Sequence, residues 1–138
     1  MTSPSDVEGA GTVSGLRLSV IGQISRPVRD IPTAVAWYET VLGLPHLYTF
    51  GNLAFFDCAG TRLFLSAADG PVGEPSVLYF RVDDIQSAYD ELRERGAVFE
   101  DAPRLIHRHA DGVEEWMAFF ADPDGHPLAI MAQVPPPE

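Results

Sequence analysis

The stretches QISRPVRDIPTAVAWYETVLG at residues 23–43 and VLYFRVDDIQSAYDELRERG at residues 77–96 decide the architecture, because each reads as a strand running into a helix. In the first, Asp30 is a candidate cap beside Pro32, Val35, Tyr38, Val41 and Leu42 follow at helical spacing, and Gly43 stops the helix. In the second, Asp84 opens a helix with Ile85, Ala88, Tyr89 and Leu92 on one face, and Gly96 ends it. At an offset of 54 residues Val28 aligns with Val82, Asp30 with Asp84, Ile31 with Ile85 and Ala34 with Ala88. Four identities inside seven positions, with the same elements in the same order, point to an internal duplication.

Outward from these helices the rest of each unit is strand. Residues 16–28 form the strand before the first helix, and residues 46–50, 52–58 and 61–67 follow it as short aromatic and aliphatic runs parted by turns at Gly51 and Ala59-Gly60. A Gly/Pro-rich loop, DGPVGEP at residues 69–75, separates the units. Residues 76–82 then read as a strand before the second helix, with residues 97–100 and 105–109, 114–121 and 127–133 after it, the last two joined by the turn Asp122-Pro123-Asp124-Gly125. The expected fold class is α+β, two tandem βαβββ modules at about 16–68 and 76–134 in one domain of residues 16–134, after a flexible tail of residues 1–15.

Composition narrows the function classes. Twenty acidic against nine basic residues leave a net charge of −11, which repels phosphate backbones, so neither nucleic acid nor an anionic membrane is an expected partner. No stretch approaches the roughly 20 apolar residues of a membrane span, and the N-terminal residues lack a signal-peptide pattern. Cys58 stands alone, which rules out an intrachain disulfide and fits a reducing cytoplasm.

Three segments carry a family resemblance: IGQISRPVRDIPTAVAWYETVLGLP at residues 21–45, VLYFRVDDIQSAYDELRERG at residues 77–96 and WMAFFADPDGHPLAIM at residues 116–131. Together they resemble the vicinal oxygen chelate superfamily of glyoxalases, bleomycin-resistance proteins and dioxygenases, over about residues 18–133. The resemblance implies U-shaped mixed sheets around a ligand cavity, a small-molecule ligand or substrate, and a homodimer; the cavity lies within one chain or between two. Metal-dependent members take a ligand from the first and last strand of each module, positions that fall here on Gln23, Phe64, Val77 and Ala129. Phe, Val and Ala carry no lone pair for a metal, so Gln23 is the one weak candidate ligand, and no cofactor is expected.

The leading reading is therefore a protein that binds or transforms a small aromatic or apolar molecule without the usual divalent site. The alternative is a metal-dependent lyase, isomerase or dioxygenase with a site rebuilt from Gln23, His107, His109 and Glu115. Gln23 and Asn52 are polar residues in apolar strand signals and suit a ligand's oxygen. Trp116 and Phe64, if they face the cavity with Val77 and Ala129, make it apolar. His107 and His109 share a strand face and with His126 offer imidazoles, although the place of His109 beside a turn and of His126 in a hairpin suits an exposed strand end better. Glu114 or Glu115 would be a general base if burial raised its pKa, while adjacent carboxylates at a strand start more often mark a solvated face. Arg62 and Arg81 read as surface or edge ion-pair residues.

Overall fold

The computed structural model describes residues 15–68 and 75–137. Residues 1–14 of the expected tail and residues 69–74 of the expected loop lie outside the described residues. The first module contains β1 (Gln23–Val28), α1 (Ile31–Thr40), β2 (His46–Phe50), β3 (Leu53–Cys58) and β4 (Thr61–Ala67). The second contains β5 (Leu78–Arg81), α2 (Ile85–Glu94), β6 (Arg104–Arg108), β7 (Glu114–Ala121) and β8 (Pro127–Val134). Both helices start as their sequences ask: Asp30 accepts from the Thr33 amide at 2.9 Å and Asp84 from the Ser87 amide at 3.0 Å.

Each module folds into one four-stranded mixed sheet, ordered β1-β4-β3-β2 and β5-β8-β7-β6. The helix carries the chain back over the sheet, so β1 runs parallel to β4 and β5 parallel to β8, while the hairpin-linked strands pair antiparallel. Two expected strands are shorter than their apolar patterns suggested. Residues 16–22 join no strand, because β4 begins only at Thr61 and offers nothing opposite them. Residues 97–100 contribute only a bridge from Phe99 to Phe120.

Period-2 alternation gives each sheet one face under its helix and one open face. Val28, Leu63, Leu65, Ala54 and Phe56 pack under α1 with Ile31, Ala34 and Tyr38. Ala118, Phe120, Leu128, Ile130 and Ala132 pack with Ile85 of α2. The modules meet through these helix-covered faces. Val41, just past α1, belongs to the second core, Trp37, Leu42 and Leu78 pack against both, and the Trp37 and Phe120 rings lie 6.3 Å apart.

Polar contacts fasten the same junction. Arg26, on the helix-covered face of β1 and 1% exposed, donates from Nη1 to the Ser76 carbonyl at 2.9 Å and from Nη2 to the Pro127 carbonyl at 3.1 Å. The Tyr38 hydroxyl donates to Asp122 Oδ2 at 2.7 Å, while Asp122 Oδ1 accepts from the amides of Asp124 and His126, both at 2.9 Å. Asp122 thus shapes the β7–β8 turn and anchors it to the other module. Burial, opposed by the nearby Arg26 cation and assisted by Asp122, pushes the Tyr38 phenol well above its ordinary pKa.

Candidate functional site

Because the modules pack helix side to helix side, their open faces are left free, and these faces hold most of the residues expected at a site. On the first sheet the register rows are Gln23 beside Arg62, and Ser25 beside Phe64 beside Phe55. Phe55 stacks on Phe64 at 5.2 Å between centroids and on Tyr48 at 4.6 Å, forming an aromatic ladder across β4, β3 and β2. Among the described residues Arg62 forms no ion pair: its guanidinium lies 5.1 Å over the Phe55 ring and its Nε donates to Gln23 Oε1 at 2.8 Å.

On the second sheet Tyr79 and Phe119 flank Ala129 in register and meet edge to face at 5.8 Å. Ala129 is fully buried. At the far end of this face His107 lies opposite Glu115, which lies opposite Gln133. His109 Nε2 is 2.7 Å from Glu115 Oε2, Gln133 donates to the same oxygen at 3.0 Å, and the two imidazoles are 4.6 Å apart. The hydrogen bonds from His109 and Gln133 hold the Glu115 carboxyl below its ordinary pKa of 4.5. A base poised near neutrality, the role considered for this residue, needs the opposite shift. Glu114 is also held low, by Trp116 and then Arg108.

Two expected ligand contacts fall elsewhere. Trp116 has the parity of Ala118 and Phe120, packs against the second core and donates its indole N–H to Glu114 at 2.9 Å, so it does not line the open face. Asn52 sits in the β2–β3 turn, exposed rather than inside a strand. Val77 precedes β5 and lines a cavity of about 780 Å³ between the modules, together with Ile21, Ile24, Leu63, Leu78 and Cys58. Burial raises the Cys58 thiol pKa, which keeps it a poor nucleophile.

The four positions that the resemblance aligns with the family's metal ligands, Gln23, Phe64, Val77 and Ala129, do not offer the donor set of an ion. Phe64 and Ala129 are paired within their sheets to Ser25 and Tyr79 respectively, so the two modules place them at equivalent points, but neither has a donor atom. Gln23's amide oxygen is already taken by Arg62. Among the described residues no group of three or more His, Cys, Asp or Glu side chains is arranged to hold a metal. None of the described helices is long and apolar enough to cross a membrane.

Residues 20–130 match the family model of the glyoxalase/bleomycin resistance protein/dioxygenase superfamily. The chain belongs to this superfamily. The uncharacterized protein YraH of Bacillus subtilis is 28% identical over 127 residues, 78% of this chain and 94% of that protein. The metallothiol transferase FosB of Lysinibacillus sphaericus is 28% identical over 106 residues, 72% of each. Among solved structures, lactoylglutathione lyase from Agrobacterium tumefaciens superposes with a TM-score of 0.66 at 22% identity, covering 84% of this chain and 95% of that one. Its likeness at that identity establishes the superfamily's fold of paired βαβββ modules.

Proposed function

We propose that this superfamily member is a homodimer whose copies enclose an aromatic-walled cavity for a small, flat or apolar molecule, bound or transformed without an ion at the family's ligand positions. One observation carries the reading: the modules of one chain pack through their helix-covered faces, leaving Tyr48, Phe64, Tyr79 and Phe119 partly exposed on the open faces, with Phe55 buried among Tyr48, Phe64 and Arg62. Half-exposed aromatic faces of this kind mark interaction surfaces. In this arrangement the first sheet of one copy faces the second sheet of the other, Arg62 and Gln23 supply the polar contact, and Phe64 supplies a stacking wall. The relatives named as a metallothiol transferase and a lactoylglutathione lyase support a small organic molecule as the occupant.

The test pairs elemental mass spectrometry of the purified protein with a melting-temperature titration against Zn²⁺, Mn²⁺, Fe²⁺, Ni²⁺ and Co²⁺, followed by a library of aromatic small molecules. Anything that binds the native state alone must raise the melting temperature by mass action. Dimers that bind no metal and are stabilised by aromatic compounds are expected; near-stoichiometric metal, or a monomer in solution, overturns the reading. The alternative, a metal-dependent lyase, isomerase or dioxygenase with a rebuilt site, would need His107, His109 and Glu115 to give up the His109–Glu115 hydrogen bond for an ion, since among the described residues these side chains are not arranged to hold one. It predicts that His107→Ala abolishes a bound ion.

A further inference from the structure

The helix side of the second sheet holds a cavity of about 220 Å³ at the junction of the modules, on the face opposite Tyr79 and Phe119. Leu42 and Leu44, just past α1, form one wall, Ala88 and Leu92 of α2 form another, and Phe120 and Ile130 of the sheet form the floor. The floor residues are 1% and 2% exposed, whereas the four wall residues are only partly buried, so the cavity runs from the second core to the surface. It also distinguishes the two modules. At the 54-residue offset Ala88 corresponds to Ala34, which is buried in the first core, while Ala88 is half-buried beside open space. Interiors are close-packed, and a side chain larger than alanine at this position would occupy the space that Ala88 leaves open.

The charged residues of the lining are Glu91 and Arg95, and their side chains are 60% and 39% exposed, which places them at the mouth. Arg95 Nη2 donates to Glu91 Oε2 at 2.6 Å and Nη1 to the Val41 carbonyl at 3.0 Å, so the pair is neutral as a unit. An exposed pair of this kind is weakly held, and a hydroxyl placed there can accept from Arg95 and donate to Glu91. A ligand's own charge is disfavoured in either sign. An anion would meet Glu91 and the adjoining groove that Glu91 shares with Asp84, Asp90 and Glu94, and a cation would meet the Arg95 guanidinium. Size follows from volume: benzene is held by an apolar cavity of about 150 Å³, so a cavity of about 220 Å³ suits a ligand of about nine non-hydrogen atoms.

We infer that this cavity binds a neutral phenol or phenyl alcohol of that size, its ring between Leu42 and Leu92 over Phe120 and its hydroxyl between Arg95 and Glu91. The site lies within one chain and on the other side of the sheet from the aromatic ladder, so the inference goes beyond the two-copy reading above and does not depend on it. Because both modules line the cavity, a bound ring adds contacts across their junction and must raise the melting temperature by mass action.

The probe is 4-ethylphenol, titrated by calorimetry and by melting temperature into Phe64→Ala protein, in which the aromatic ladder is broken. A dissociation constant of about 1 mM or tighter is expected, with the cation 2-phenylethylamine and the anion phenylacetate each bound about ten-fold more weakly. Ala88→Leu and Val82→Phe, which fill the cavity from α2 and from the end of β5, should each weaken 4-ethylphenol about ten-fold or more. Unchanged binding in either folded variant, no saturable binding up to about 10 mM, or equal or tighter binding of a charged analogue overturns the inference. Should neither filling variant fold, nuclear Overhauser contacts decide in protein with the cavity intact: contacts from the ring protons to the Leu92 and Ile130 methyls are expected, and their absence overturns it.

Discussion

Replacing Tyr38 by Phe removes one hydroxyl and nothing else from the junction of the two modules. The ring keeps its place in the first core and its neighbours Trp37 at 5.2 Å and Phe56 at 5.9 Å. Lost is the 2.7 Å donor to Asp122 Oδ2, a carboxylate oxygen on a residue only 5% exposed. A hydrogen bond to a charged group is worth about 1.5–3 kcal/mol, and the value here belongs in that range because water reaches the abandoned oxygen poorly. For a chain of 138 residues, at roughly 3 °C per kcal/mol, the melting temperature should fall by about 5–9 °C. Urea unfolding should show a lower midpoint with an unchanged slope, and a double-mutant cycle with Asp122→Asn should give a coupling of at least ~1 kcal/mol. A loss under about 0.5 kcal/mol, or additive single variants, would refute the claim that this contact fastens the modules.

The same phenol sets the response to alkali. Its folded pKa is raised above the ordinary 10.0, so the stability it contributes is complete below that value and is lost as pH climbs toward the folded pKa, because only the unfolded chain ionises there. Wild type should lose stability above pH 10 more steeply than Tyr38→Phe in parallel urea titrations. Gly43 has φ +74° after α1, and a Cβ there would sit 3.2 Å from Arg95 Nη1, which donates to the Val41 carbonyl. Gly43→Ala should cost about 1–2 kcal/mol from the left-handed backbone alone and more if Arg95 is displaced, and should therefore exceed Gly51→Ala, where nothing lies near, in thermal melts. Phe64→Ala removes the end of the aromatic ladder and should weaken binding of a neutral naphthyl probe by about 10-fold or more, read by fluorescence titration.

Much of the fold was legible because it is written locally. Asp30 and Asp84 cap their helices by accepting from backbone amides three residues on, β4 and β7 run over the residues their alternation predicts, and the 54-residue offset reflects two modules with the same strand order. The side chains of Phe64, Val77 and Ala129 carry no metal-donor atom in any conformation, which is likewise a local property. Arg26 carries a less obvious signal: a charged residue at a core-parity position between Ile24 and Val28 must bury and find distant acceptors, and only the tertiary structure supplies the Ser76 and Pro127 carbonyls.

What the amino acids determined alone is which residues can be strand, helix or turn, which of them can meet a metal, and that the chain repeats. Tertiary structure decided which face each strand residue received and what lay against it. Alternation sends Trp116 and Phe119 to opposite faces of β7, but that Trp116's face is the core and Phe119's the open one follows from α2, which covers only one side of the sheet. Residues 16–20 carry the apolar pattern of a strand and are not one, because pairing needs a neighbour and β4 starts too late to be that neighbour. Periodicity is a property of a segment, whereas burial and pairing belong to the partner, and no segment encodes its partner by itself.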